Sequence, residues 1–273
     1  LEPHRGLHED VLHREIDGSP KRSLGLTSAL LSRARRRDIE VIRGLTDRPR
    51  SAISGNSSYT AARIGEVYGV EAGVLLPSVV SDEFPAEAGL DEPSETHDIA
   101  EPYAVSVGRA GWVKGTWETV SMLSGSGISL AHVGGGAGED LARLTQHAES
   151  CGVGLWVAPR LSSPEMAALM RGARAVVSMA HGEPFGLTPV EAISVGTPAL
   201  MVDEGGFRDT VIDGVNGRLL PRDDLGAWHS ALEQVADGGT RTAWGESGRA
   251  RIAEMDLSPD THCRRLESIL GHL

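Results

Sequence analysis

The sequence predicts an α/β protein built on a doubly wound parallel sheet. Short apolar strands alternate with helical stretches from residue 103 onward. Alternation at that spacing is what a parallel sheet wrapped by helices requires. The segments that carry reactive side chains also fall just after strands, and the carboxyl ends of strands are where such sheets bind ligands. A third observation is the glycine content, 34 in 273 residues, well above the usual ~7%. Such an excess marks tight turns and close backbone approaches.

The elements follow in chain order. Residues 21–46 place Leu24, Leu26, Leu30, Leu31, Ile39, Val41, Ile42 and Leu45 among many arginines, which predicts one or two surface helices. Ser51 to Ser54 reads as a short strand. Ser58 reads as the cap of a helix through Tyr68, which Gly69 stops. GVLLPSVV at 73–80 reads as a buried strand and its exit. Residues 81–102 are acidic, contain proline and lack periodic apolar positions, as an interdomain linker does. Beyond it, strands are expected at Tyr103–Val107, Ile128–Val133, Leu155–Ala158, Ala175–Ser178 and Ala199–Val202. Helices are expected near 115–124, 139–150, 164–172, 189–195 and 206–212, then at 224–236, 240–254 and 259–270. Asp213-Gly-Val-Asn-Gly217 reads as a hairpin turn.

Composition excludes several classes. There are 26 basic and 38 acidic residues, a formal charge of −12. That surface repels bulk nucleic acid and anionic lipid. No apolar run approaches the roughly 18 residues of a membrane span, and LEPHRGLHED has no secretory pattern. Cys151 and Cys263 form neither a CxxC nor a metal spacing, so no disulfide framework or zinc site is expected and a reducing cytoplasm is the default. The start at Leu1 rather than Met suggests a fragment or trimmed chain.

Four segments carry candidate chemistry. In His181-Gly-Glu-Pro-Phe-Gly-Leu-Thr-Pro-Val-Glu191 a strand leads through a glycine turn into a helix. The backbone N–H groups of Phe185, Gly186 and Leu187 would form an anion site suited to phosphate. Glu183 and Glu191 flank that site with seven residues between them. A carboxylate there suits sugar hydroxyls rather than phosphate. Thr188-Pro-Val-Glu191 is equally a capping box, in which Glu191 only reaches back to the backbone. In Val107-Gly108-Arg109-Ala-Gly-Trp-Val-Lys114-Gly, a fixed fork and a point charge share one loop, as a diphosphate site needs; two solvated cations are the plainer alternative. His132-Val-Gly134-Gly-Gly-Ala-Gly138 is a glycine cluster that does not complete a dinucleotide fingerprint. Asp203-Glu-Gly205-Gly206-Phe-Arg-Asp209 is another glycine turn into a helix.

Taken in order, these residues resemble the retaining GT-B glycosyltransferases of family 4, the group 1 glycosyltransferases. Asn56-Ser-Ser-Tyr-Thr and Tyr68-Gly-Val resemble the end of that family's amino-terminal domain. Gly108-Arg109 with Lys114-Gly resembles its Gly-Arg-x4-Lys-Gly loop, and Glu183 with Glu191 its Glu-x7-Glu motif. Gly196-Thr-Pro, Gly205-Gly206 and Gly214 with Gly217 follow at the expected spacings. The resemblance implies a remnant of the acceptor-side lobe at 1–80, a linker at 81–102 and a nucleotide-sugar donor domain at 103–256. A carboxy-terminal helix at 257–273 would pack back on the first lobe.

The resemblance also implies roles. Arg109 and Lys114 would bind and stabilise the donor diphosphate, with Gly108 and Gly134 beside it. Backbone at Phe185–Leu187 would hold the distal phosphate. Glu183 would contact the donor sugar, Glu191 the ribose, and Arg160 and Leu161 the base. Gly205 and Gly206 would add donor contacts. No cofactor or metal is expected, because the nucleotide sugar is a substrate. The acceptor would be a glycan, a lipid-linked sugar or a small molecule, and a second chain is a candidate source of the acceptor lobe.

The chain departs from the family pattern in its short first lobe, in Gly134-Gly135-Gly136 for Gly-Asp-Gly, and in Asp209 for Glu. His4, His8 and His13 read as exposed terminal histidines. The competing readings are a non-catalytic sugar-nucleotide-binding module and a sugar-nucleotide epimerase or hydrolase.

Overall fold

A computed structural model describes residues 1–79 and 99–272. Residues 80–98, which include most of the linker expected at 81–102, lie outside the described residues. The helices are α1 (Arg5–His8), α2 (Leu24–Thr46), α3 (Ser58–Tyr68), α4 (Thr116–Leu123), α5 (Gly138–Cys151), α6 (Ser163–Gly172), α7 (Leu187–Ser194), α8 (Phe207–Thr210), α9 (Leu225–Gln234), α10 (Gly238–Met255) and α11 (Pro259–Gly271). The strands are β1 (Ser54–Gly55), β2 (Gly73–Val74), β3 (Tyr103–Val107), β4 (Ser129–Val133), β5 (Leu155–Val157), β6 (Ala175–Ser178), β7 (Ala199–Val202) and β8 (Gly217–Leu220).

Strands β3 to β8 form one parallel sheet in the order β5-β4-β3-β6-β7-β8. Order reverses between β3 and β6, so a crevice opens at their carboxyl ends. The central strands are buried and mostly apolar because helices cover both faces. All four residues of β6 and of β7 are buried, as are Leu144, Leu169 and Trp228 on the covering helices. No described helix is long and apolar enough to cross a membrane.

Two expectations fail at β8 and β2. Asp213–Gly217 turns the chain, but Gly217–Leu220 then pairs parallel to β7 rather than folding back as a hairpin. The Asn-Gly signal describes the turn alone; the chain arrives through α8, which delivers the next strand in the same direction. Of the stretch expected at 73–80, the described residues 73–79 do not form a buried strand: β2 has two residues, both exposed. It pairs parallel with β1 across α3, and β1 lies at Ser54–Gly55 rather than 51–54. Residues 21–46 give a single helix, α2, which buries none of its residues.

The cap of α3 is Ser57, whose hydroxyl accepts from the Thr60 amide, and Gly69 ends the helix in the left-handed conformation. Hydrogen bonds join this first segment to the sheet. Ser57 and Thr60 donate their hydroxyls to the Pro184 carbonyl, and the Ser58 amide donates to Asp209 Oδ2 at 2.7 Å. Asp17 pairs with Arg143 at 2.5 Å, and α11 returns to residue 76 through His262 Nδ1 and the Leu76 carbonyl, 2.7 Å apart. His4 is exposed, as expected, but His8 and His13 are not loose surface groups. His8 pairs with Asp38 at 2.8 Å and packs edge-on against Tyr68, and His13 Nε2 lies 2.8 Å from the Gly6 carbonyl.

His132 closes β4 and is fully buried. Its Nε2 lies 3.2 Å from the Gly135 carbonyl, and its Nδ1 has no partner among the described residues. Burial pushes its pKa below the usual value of 6.5, and the Gly135 bond only partly opposes that shift. The unfolded chain therefore takes up the proton first as pH falls, and stability present above the unfolded value is lost below it. Melting temperature should fall between about pH 7.5 and about pH 5.5, and fall less in His132→Asn, which cannot titrate. Parallel pH profiles for the two proteins would reject this account.

Candidate donor-binding site

The loops after β3 and β6 face one another at the switch point. Their backbones are joined directly: the His181 amide donates to the Val113 carbonyl at 3.0 Å. Lys114 Nζ donates to Glu183 Oε2 at 2.7 Å. Thus 69 residues of sequence separation close to one contact, and the two groups stay partly open to solvent. Arg109 is exposed and forms no ion pair with any described residue. Its guanidinium stands uncommitted on the same loop as Lys114.

Helix α7 begins at Leu187 with Gly186 as its cap. The N–H groups of Phe185, Gly186 and Leu187 thus precede the first intrahelical bond, and none donates to another described group. The Phe185 side chain is buried against Val190, Met255 and Leu257, so only its backbone faces outward chemistry. The same helix start removes the capping-box reading. Thr188 lies inside α7 rather than at its cap, and no side chain caps the helix. Glu191 is half-buried on the first turns of α7.

Two glycine contacts set the spacing of these loops. Gly108 and Gly134 leave adjacent strands with φ of +139° and +121°, and a Cβ on Gly134 would lie 2.7 Å from the Gly108 carbonyl carbon. Gly205 and Gly206 are buried under the 183–185 backbone, with the Gly206 amide donating to the Glu183 carbonyl at 2.7 Å. Their described contacts are with that loop. Arg160 is exposed at the exit of edge strand β5, and Leu161 packs on the main core. Neither is hydrogen-bonded to the loops around Lys114 and Glu183.

Several groups at the site carried no sequence signal. Glu2 lies near Lys114 and Glu183. Burial raises its pKa, Arg5 opposes that, and Glu9 and Glu183 add to the rise. Arg5 Nη2 donates to the His181 carbonyl at 2.6 Å. Behind the loops, Arg222 joins Glu118 and Glu204 (3.0 and 2.7 Å). Burial alone would raise the Glu204 pKa, but the Arg222 fork outweighs it and holds the carboxyl below its usual value. Asp209, where Glu was expected, accepts from the Ser58 amide.

A reversed-order parallel sheet with Arg109, Lys114 and Glu183 on the loops at its switch point defines an α/β domain whose candidate site lies at the carboxyl ends of its strands. Residues 91–251 match the family described as glycosyl transferases group 1, and the chain belongs to that family. It is 32% identical over 189 residues to the D-inositol 3-phosphate glycosyltransferase of Xylanimonas cellulosilytica, an alignment covering 67% of this chain and 45% of the relative. The protein of the same name from Mycolicibacterium smegmatis is 33% identical over 116 residues, 41% of this chain and 27% of that one. The chain therefore spans less than half the length of these relatives.

Solved structures share the fold. Sucrose-phosphate synthase from Thermosynechococcus elongatus superposes with a TM-score of 0.72 at 22% identity, covering 87% of this chain and 61% of that one. HepE from Anabaena, in complex with UDP and glucose, gives 0.71 at 19% identity, covering 86% and 67%. These neighbours place the architecture among GT-B glycosyltransferases.

Proposed function

We propose that the chain carries the donor site of a retaining glycosyltransferase that transfers a sugar from a nucleoside diphosphate. The observation that carries this reading is the meeting of Lys114 and Glu183 across the switch point, beside the unpaired N–H groups of Phe185–Leu187. Family membership supports the transfer reaction. The UDP-bound structure of HepE, and that of the same protein with UDP-glucose, support the donor class.

Transfer passes through an oxocarbenium-like state as negative charge builds on the departing phosphate. Arg109, Lys114 and the start of α7 are the positive groups on these loops that would meet that charge. On donor binding Lys114 exchanges Glu183 for phosphate oxygens, which frees the Glu183 carboxylate for the sugar ring. Glu191 accepts hydrogen bonds from the ribose hydroxyls. In a retaining reaction of this kind the leaving phosphate takes the acceptor proton on the face it vacates. The half-buried loop at 108–115 and the first segment at Arg5 and Tyr59 bound the side from which an acceptor arrives.

Calorimetric titration with UDP, GDP and ADP tests the donor class, and one of the three is expected to bind. With the tightest of them, Glu191→Gln should lose about 10–100-fold in affinity, the range for a hydrogen bond to a charged acceptor. The variant should also lose discrimination against the 2′-deoxy analogue. Binding that is unchanged for both nucleotides rejects the ribose role of Glu191.

A further inference from the structure

We propose that Arg222 is the positioning residue of the donor site, a guanidinium that holds the three loops carrying the donor-binding groups in one fixed arrangement. The proposal rests on the donor-site reading above. Arg222 lies two residues past β8 in a Pro-Arg-Asp-Asp stretch that resembles any solvated surface turn. Its side chain is nevertheless only 21% exposed.

All five of its N–H groups are engaged. Nε donates to Glu204 Oε1 at 2.9 Å, and Nη2 donates to Glu204 Oε2 at 2.7 Å and to the Ala180 carbonyl at 3.5 Å. Nη1 donates to Glu118 Oε1 at 3.0 Å and to the Met179 carbonyl at 2.8 Å. A guanidinium has no further donors to offer a ligand. Arg222 therefore acts through its partners, and the partners are informative. Glu204 leads into Gly205-Gly206. Met179 and Ala180 open the loop that ends in Glu183 and Phe185–Leu187. Glu118 lies on α4, four residues past Lys114.

A second link reaches the cationic loop itself. Glu118 Oε2 lies 2.7 Å from His181 Nε2. The His181 ring stacks on Trp112, with centroids 4.6 Å apart and planes 30° from parallel. Trp112 sits between Arg109 and Lys114. A rigid chain thus runs from Arg222 through Glu118 and His181 to the loop that places both cations. Lysine cannot take this role, because a point charge on a flexible stem cannot hold a fork on one carboxylate while reaching a second carboxylate and a carbonyl.

The test compares Arg222→Lys with the wild-type chain, using the tightest binder among UDP, GDP and ADP together with its monophosphate. The loops that Arg222 holds meet the distal phosphate, so the diphosphate should lose at least about ten-fold in affinity while the monophosphate stays within about two-fold, as misplacement by a supporting shell predicts. A diphosphate-to-monophosphate ratio unchanged from wild type overturns the proposal, and so does an equal loss for both ligands, which marks a general structural role. Should Arg222→Lys fail to unfold cooperatively, Glu204→Gln keeps the acceptor oxygen, weakens the fork and should move the ratio in the same direction; no movement in that variant also overturns the proposal. A wild-type chain that binds none of the three nucleotides removes the donor reading itself. That result is distinct from a wild type that binds and a variant ratio that does not move.

Discussion

Replacing Lys114 with alanine is expected to lower donor turnover by about 10²–10³-fold, the cost of deleting one preorganised donor aimed at charge that develops in the transition state. The side chain is half-exposed and its resting partner is Glu183, 2.7 Å away. An ion pair this open contributes at most about 1 kcal/mol to folding. The melting temperature should therefore hardly move while turnover collapses. Arg109 remains on the loop as a second cation, so diphosphate affinity should fall less than turnover does. Under the proposed function the loss belongs mainly to the step in which phosphate leaves. The measurement is steady-state release of nucleoside diphosphate together with a thermal melt. A variant that keeps turnover within ten-fold of wild type would show that the Lys114–Glu183 contact is only a surface pair.

Gly206→Ala should damage the site through steric overlap alone. The Gly206 backbone has an ordinary helical conformation, with φ of −73°. The penalty is therefore steric. A Cβ there would lie 2.6 Å from Phe185 Cα and 2.7 Å from the Pro184 carbonyl carbon. Both are backbone atoms, so no rotamer change relieves the clash. The 183–187 loop must move, and with it the N–H groups that precede α7. Overpacking of this kind costs about 1–3 kcal/mol. In a chain of this size that lowers the melting temperature by about 2–4 °C per kcal/mol. Nucleoside diphosphate affinity should fall more than stability does, because under the proposed function the displaced backbone is the part that meets the phosphate. A variant that melts lower yet binds diphosphate normally would place the phosphate elsewhere.

Most of the sheet was legible because its strands carry their own signal. Ala175–Ser178 and Ala199–Val202 are uninterrupted apolar runs between glycine turns, and that pattern has few other uses. β8 was not legible, because it is a four-residue edge strand with only its end residues buried, preceded by an Asn-Gly pair that signals a hairpin. Its direction is decided by α8 and by pairing with β7, which no local pattern encodes. Lys114 and Glu183 were legible as candidates through their place after strands, and the structure brings those two together. The bracing groups were not. Glu118, Glu204 and Arg222 look like ordinary surface charges in sequence, and only long-range packing makes them partners. Thr188 to Glu191 shows the converse. The capping-box pattern is present in the residues, but α7 starts one residue before Thr188, so the pattern is not used.

The start of α3 has a consequence for motion. The Ser57 and Thr60 hydroxyls and the Ser58 amide are satisfied by oxygens of the sheet domain, at Pro184 and Asp209. Swinging the first segment away strips that helix end of its partners and leaves water to replace them. Any separation of the two would therefore fray a single helical turn, and hydrogen exchange at the Ser58 amide would gauge it.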